Sequence, residues 1–240
     1  MRVDPTMNIV SIVLQLFVLL FAITVHEASH GWVANRMGDP TAASLGRVSL
    51  NPLVHIDPIN TIILPIMLTL FRLPAFGMAK PVPINPRNFR DPRRGTLWVS
   101  FAGPGSNLAV AAGAYIILFL MKLFIPRVDY FIKLMVGGFF RQLGFVLPVL
   151  SKGFYPLEGL CLLLLMTILI NSYLAVFNLI PIPPLDGSGI LMGLIPESKA
   201  AFLARMNPWI GILIVFFLIN IGVLEIIMFP IKLFIAVTLG

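Results

Sequence analysis

Charge is what this sequence has least of. Only 11% of its 240 residues are Asp, Glu, Lys or Arg, against roughly 25% in an average soluble domain. With 58% hydrophobic residues and a mean hydropathy of +0.97, the composition excludes an ordinary soluble fold and points to an integral membrane protein. Cysteine is nearly absent. Cys161 stands alone in LCLLLLM, so no internal disulfide and no cysteine metal site can form, and redox chemistry says nothing about compartment. Acids number 10 against 17 Lys and Arg. In a soluble protein a formal charge of +7 would suggest nucleic acid; here it fits basic loops flanking a membrane, and no nucleic-acid partner is expected. No internal repeat is evident.

What the chain does have is long apolar runs. A spanning helix needs about twenty such residues, and four stretches meet or approach that length: about 7–34, 97–121, 157–180 and 208–229. The first continues directly into a polar motif and lacks a small-residue cleavage site, so it reads as a retained span rather than a cleavable signal peptide. Two further segments fall short. Residues 61–71 are apolar but short and interrupted by Pro65, and 129–150 carries Lys133 and Arg141 among Gly and Phe, as an interfacial amphipathic piece would. The proline-rich stretch 74–86 cannot continue a helix and suits a re-entrant or hairpin element. The expected fold is an all-α polytopic membrane protein with about four full transmembrane helices plus short re-entrant or hairpin and interfacial segments. One domain spans 1–240, with a core at 7–190 and a C-terminal helix at 208–229.

Histidine is scarce too, at three residues, yet two of them fall together in His26-Glu27-Ala28-Ser29-His30 inside the first apolar run. On a helix, positions 26 and 30 project from one face a turn apart and can share a metal ion, with Glu27 close enough to take a proton from water. A lone histidine in an apolar stretch is usually a satisfied core residue. Three ionisable groups within a span are another matter, because burying even one in lipid costs about 2.5 kcal/mol or more.

A catalytic zinc usually takes three protein ligands and keeps one position open. The remaining histidine, His55, sits in a loop, NPLVHIDP, where a local hydrogen bond is the simpler reading. The third ligand is then a carboxylate. Glu225, deep in the last apolar run, competes with Asp186, which follows the third run in Asn178-Leu-Ile-Pro-Ile-Pro-Pro-Leu-Asp186-Gly187. For Asp186 the plain alternative is a cap on the short helix that follows. Helix parity favours Asp186. With one crossing between them, spans one and three run parallel and their C-terminal ends share a membrane face, as does the start of span two, Gly103-Pro-Gly-Ser-Asn107. At a rise of roughly 1.5 Å per residue, Glu27 lies on the order of 13 Å before the helix end near Arg36, so Asp186 must dip inward on its proline-stiffened turn. The connection between the first two spans holds Arg36, Arg47, Arg72, Lys80, Arg87, Arg90, Arg93 and Arg94, which argues for the cytoplasmic side.

HEASH in the first apolar run, AGPGSN opening the second and NLIPIPPLDG ending the third resemble the site-2 protease family of intramembrane zinc metalloproteases. The likeness covers roughly residues 10–190, including AKPVPINPRNFR, and is closest to the small bacterial type without an inserted PDZ domain or an appended nucleotide-sensing domain. The family often has glycine where Asn60 follows HIDP-x here. The resemblance implies one Zn2+ per chain held by His26, His30 and Asp186, with Glu27 as general base. It also implies Asn178 as a substrate or oxyanion contact and Asn107 as a second one. The implied substrate is a transmembrane helix of a membrane-anchored protein, cut within the bilayer in regulated intramembrane proteolysis. The implied location is the cell membrane, with the active site nearer the cytoplasmic face. Two other classes fit the intramembrane His and Glu: an ion or metal transporter, and a membrane protein whose zinc is structural. The residues name neither the substrate nor an oligomeric state.

Overall fold

Proline opens most of the long helices. In the computed structural model, α1 (Pro5–Met37), α2 (Pro92–Phe124), α3 (Pro126–Arg141), α4 (Pro156–Asn178) and α7 (Pro208–Asn220) each begin at a proline. The ring is preset for the first helical position and its missing N–H would have had no partner there. The structure describes residues 5–63, 67, 80–141 and 156–240, and among these residues there is no strand. Three helical stretches, Val13–Met37, Pro92–Phe124 and Pro156–Asn178, are long and apolar enough to cross a membrane, and a bent pair at the C-terminal side raises the number to four. The chain is an all-α polytopic membrane protein.

The spans differ from the sequence expectation mainly in reach. The second begins at Pro92 rather than near 97, so AGPGSN sits inside α2, with Pro104 as an interior proline. The single C-terminal helix expected at 208–229 is two helices, α7 and α8 (Val223–Leu239), separated at Gly222, whose φ of +81° is a left-handed conformation that favours glycine. Between α4 and α7 lie α5 (Asp186–Leu194) and α6 (Glu197–Ala204), the latter meeting α7 at 86°. Residues 64–66 and 68–71 of the doubtful apolar segment, 74–79 of the proline stretch and 142–150 of the amphipathic piece lie outside the described residues; Pro58–Ile63 forms a single wide turn.

The chain sorts into two compact units. One comprises Met1–Leu19, Leu108–Val176 and Phe216–Gly240. Its core is apolar: Leu118 of α2, Val128, Ile132, Met135 and Val136 of α3, Cys161, Leu162 and Leu165 of α4, and Ile235 and Leu239 of α8 are buried together. The positions 128, 131, 132, 135 and 136 recur at helical spacing. In its described half the amphipathic piece therefore buries its apolar face in protein rather than lying only on a lipid surface. The other unit comprises Leu20–Asn107 and Phe177–Val215, and it holds the HEASH motif, the proline turn and Asp186.

Candidate metal centre

His26 and His30 leave α1 one turn apart, buried, with their rings edge-on at a centroid separation of 4.7 Å. Each has its Nδ1 engaged by α2. Nδ1 of His26 meets Oδ1 of Asn107 at 2.6 Å, while the Asn107 amide donates to the Ala22 carbonyl at 3.1 Å, which orients the amide with its oxygen toward the ring. Nδ1 of His30 meets the Val99 carbonyl at 2.7 Å. A carbonyl only accepts, so Nδ1–H is the donor in both rings, and in a neutral imidazole that leaves Nε2 as the lone pair. Such outer partners fix tautomer and orientation in metal-binding histidines.

Both lone pairs face one carboxylate. Asp186 Oδ2 lies 3.1 Å from His26 Nε2 and 3.3 Å from His30 Nε2. It is buried and receives no hydrogen bond. With both imidazoles neutral, three electron-rich atoms converge here, an arrangement that a bound cation would stabilise. Two imidazoles and one carboxylate suit a borderline divalent ion such as zinc. The residues fit the ion. Asp186 is the first residue of α5, after an N-cap at Leu185 that makes no side-chain cap bond, so it points at the histidines and does not cap its own helix. Glu225, the competing carboxylate, accepts from Tyr173 at 2.9 Å and pairs with Lys232.

Glycines make the approach possible. A Cβ on Gly103 of α2 would lie within 2.5 Å of His26 Nε2 and closer still to His30 Nε2. A Cβ on Gly187 would strike the Leu179 and Ile180 carbonyls, and one on Gly189 would strike Ser100. The far end of α5 is fixed by Arg93, which donates from Nε to the Gly193 carbonyl (2.9 Å) and from Nη2 to those of Leu194 (3.1 Å) and Ile195 (2.9 Å). A cation on terminal carbonyls also suits the helix dipole.

The expected site residues fall into two groups. His26, His30 and Asp186 come together as a set. Glu27, one residue along α1, accepts a hydrogen bond at its Oε2 from the Val82 backbone N–H at 2.9 Å. Asn178 is the last residue of α4, half-buried at the head of the proline segment. Asn107 is fully buried, its Oδ1 on His26 Nδ1 and its amide N–H on the Ala22 carbonyl. His55 has the local bond expected of it, to the Ser49 carbonyl at 2.9 Å. The sequence reading missed Gly103, Val99 and Val82. Gly103 was visible in AGPGSN, whereas Val99 and Val82 act through backbone atoms and carry no residue signal.

The family model for Peptidase family M50 matches residues 14–221. The chain belongs to that family, the site-2 protease family. Among curated relatives, "Putative zinc metalloprotease YwhC" of Bacillus subtilis (strain 168) is 32% identical over 191 residues, covering 80% of this chain and 73% of that one. "Putative zinc metalloprotease Rip2" of Mycolicibacterium smegmatis (strain ATCC 700084 / mc(2)155) is 28% identical over 202 residues, covering 84% of this chain and 64% of that one. The chain thus spans under two thirds of the second relative's length. No solved structure matches it. His26, Glu27, His30 and Asp186 lie within the residues matched to the family model.

Proposed function

We propose that this protein is a zinc-dependent endopeptidase that cuts transmembrane helices of membrane-anchored proteins within the bilayer, with Glu27 as general base. The observation that carries the reading is the convergence of Asp186 Oδ2 on His26 Nε2 and His30 Nε2, which, with Glu27, stand on a helix apolar enough to span a membrane. The relatives' names supply zinc as the metal and proteolysis as the chemistry.

His26, His30 and Asp186 would hold the ion, and the contacts from Asn107 and Val99 to Nδ1 would favour the ligating tautomer of both imidazoles. When bound, zinc is a Lewis acid that acidifies water and polarises a carbonyl. Glu27 would take one proton from the attacking water as its oxygen bonds to the scissile carbonyl carbon, and would pass that proton to the amine nitrogen as the C–N bond breaks, leaving a carboxyl and a free amine. Asn178 donates its amide to the developing oxyanion, a contact of the sort worth about 3 kcal/mol elsewhere. A helical substrate hides its carbonyls in its own hydrogen bonds, so it has to unwind locally before attack. The basic connection between α1 and α2 supports a site nearer the cytoplasmic face.

The test is zinc by mass spectrometry on detergent-purified protein. About one zinc per wild-type chain, lost in His26→Ala and in Asp186→Ala, supports the three-ligand site. Glu27→Gln should keep the zinc and lose cleavage by a factor of about 10²–10⁴. Zinc absent from folded wild type, or full cleavage by Glu27→Gln, would overturn the reading.

A further inference from the structure

Only Val82 of Lys80-Pro-Val-Pro-Ile-Asn-Pro-Arg reaches the metal centre, and the stretch from Asp39 to His55 supplies none of its groups. The structure joins the two stretches. Residues 80–90 form a strap without regular structure apart from one short turn at Pro86–Asn88, tied down at both ends by buried polar groups.

At its start, Arg47 donates from Nη2 to the Lys80 carbonyl at 2.7 Å, and the Lys80 N–H donates to the His55 carbonyl at 2.9 Å. Arg47 is 9% exposed and His55 2%. At its far end Asp39, fully buried, accepts from the Asn85 N–H at 2.7 Å and the Asn88 side-chain amide at 2.8 Å, and the Arg90 N–H reaches the Met37 carbonyl at 3.0 Å. Asp39 is placed by how α1 ends. The Gly38 N–H bonds to the Asn35 carbonyl and the Asp39 N–H to the Ala34 carbonyl, with Gly38 at a φ of +114°. That is the Schellman pairing, which terminates a helix and fixes the residue after its glycine.

Between the anchors stands Val82, buried, whose N–H is the donor to Glu27. Pro81 and Pro83 on either side have no N–H to offer and restrict the backbone. The strap therefore brings one donor, on a stiff segment, to one carboxylate oxygen. We propose that Asp39 and Arg47 are positioning residues for Glu27, holding the Lys80–Arg90 strap so that the Val82 N–H fixes the carboxylate of the base. This rests on the assignment of Glu27 as general base. Neither anchor touches the metal ligands, so loss of either should leave metal binding intact and lower the rate of the chemical step.

Arg47→Met and Asp39→Asn are the variants, the second keeping shape in case the first does not fold. Four quantities are compared with wild type: zinc content, kcat and KM on a quenched-fluorescent single-span peptide in detergent, and hydrogen exchange of the amides in 80–90. The expected result is unchanged zinc, KM within about twofold, kcat lower by about tenfold or more, and faster exchange at Val82. Unchanged kcat overturns the proposal, as does loss of zinc together with the rate, because the anchors would then support the whole site. Exchange needs no cleavage, so it separates this proposal from the protease reading. Should wild type cut nothing, Val82 protection that disappears in Glu27→Ala and in both anchor variants still supports the strap, and equal protection in all four proteins overturns it.

Discussion

The two compact units bury different chemistry. In the unit of Met1–Leu19, Leu108–Val176 and Phe216–Gly240, the buried cluster runs from Leu118 through Met135 and Leu162 to Leu239, and the buried polar residues among those described are Asn171 and Ser172. Asn171 and its neighbour Thr167 bond back to their own helix, to the carbonyls of Thr167 and Leu163. Among the described residues of the unit of Leu20–Asn107 and Phe177–Val215, the buried apolar cluster comprises Ala34, Phe89 and Val99. There His26, His30, Asp39, Arg47, His55, Asn107 and Ser188 are buried. The first unit is held by close packing, which tolerates conservative change because many contacts share the load. The second is held by individual hydrogen bonds, where each lost partner strands a buried group. Function lies where each bond is individually necessary.

Three substitutions sharpen that contrast, taken from the largest effect down. Gly103→Ala adds one methyl group where the two Nε2 atoms approach. It should lower metal affinity by about 100-fold or more and remove cleavage, read by zinc titration of a protein whose helical circular dichroism is unchanged. If zinc still binds at wild-type strength, the glycine is not what makes room for the ion. Leu162→Ala, in the packed unit, should cost on the order of 2 kcal/mol through the cavity it leaves, measured as a lower unfolding midpoint, with zinc content per folded chain unaltered. A zinc-poor Leu162→Ala protein would mean the two kinds of burial are not separable.

The smallest effect concerns pH. Burial alone would raise the Asp39 carboxyl, but hydrogen bonds from Thr41, Asn85 and Asn88 outweigh it and hold it below the ordinary value of 3.8. A carboxyl lowered on folding stabilises the protein at any pH above its unfolded pKa, and that contribution disappears as pH falls through the folded pKa. Protection of the Val82 amide, its exchange rate relative to the intrinsic rate at the same pH, should therefore be high at neutral pH and fall in acid below the ordinary carboxylate range. Asp39→Asn should flatten that dependence, and an unaltered profile in the variant would show that another group governs the strap.

Much of this could be seen in the sequence because it is local. Seventeen uncharged residues leading into HEASH predict a helix, and helix geometry alone puts His26 and His30 on one face. The parity of the spans brought Asp186 to the same place. The errors fell where tertiary packing decides. AGPGSN lies within α2 because Pro92 supplies an earlier start, and the helix expected at 208–229 breaks at Gly222. Asn107 was legible as a polar residue near the site, but its bond to His26 Nδ1 depends on how α1 and α2 approach.

By itself the sequence determined that the protein lives in a membrane, which three side chains can take a metal and which glutamate stands beside them. These follow from hydropathy and from the helical repeat, which act over a few residues. Only the tertiary structure decided what holds those groups still: the Val99 carbonyl on His30, the Val82 N–H on Glu27, the space left at Gly103, and the anchoring of the strap by Asp39 and Arg47. The physical reason is that backbone donors and acceptors are the same at every residue, and empty space has no letter in a sequence.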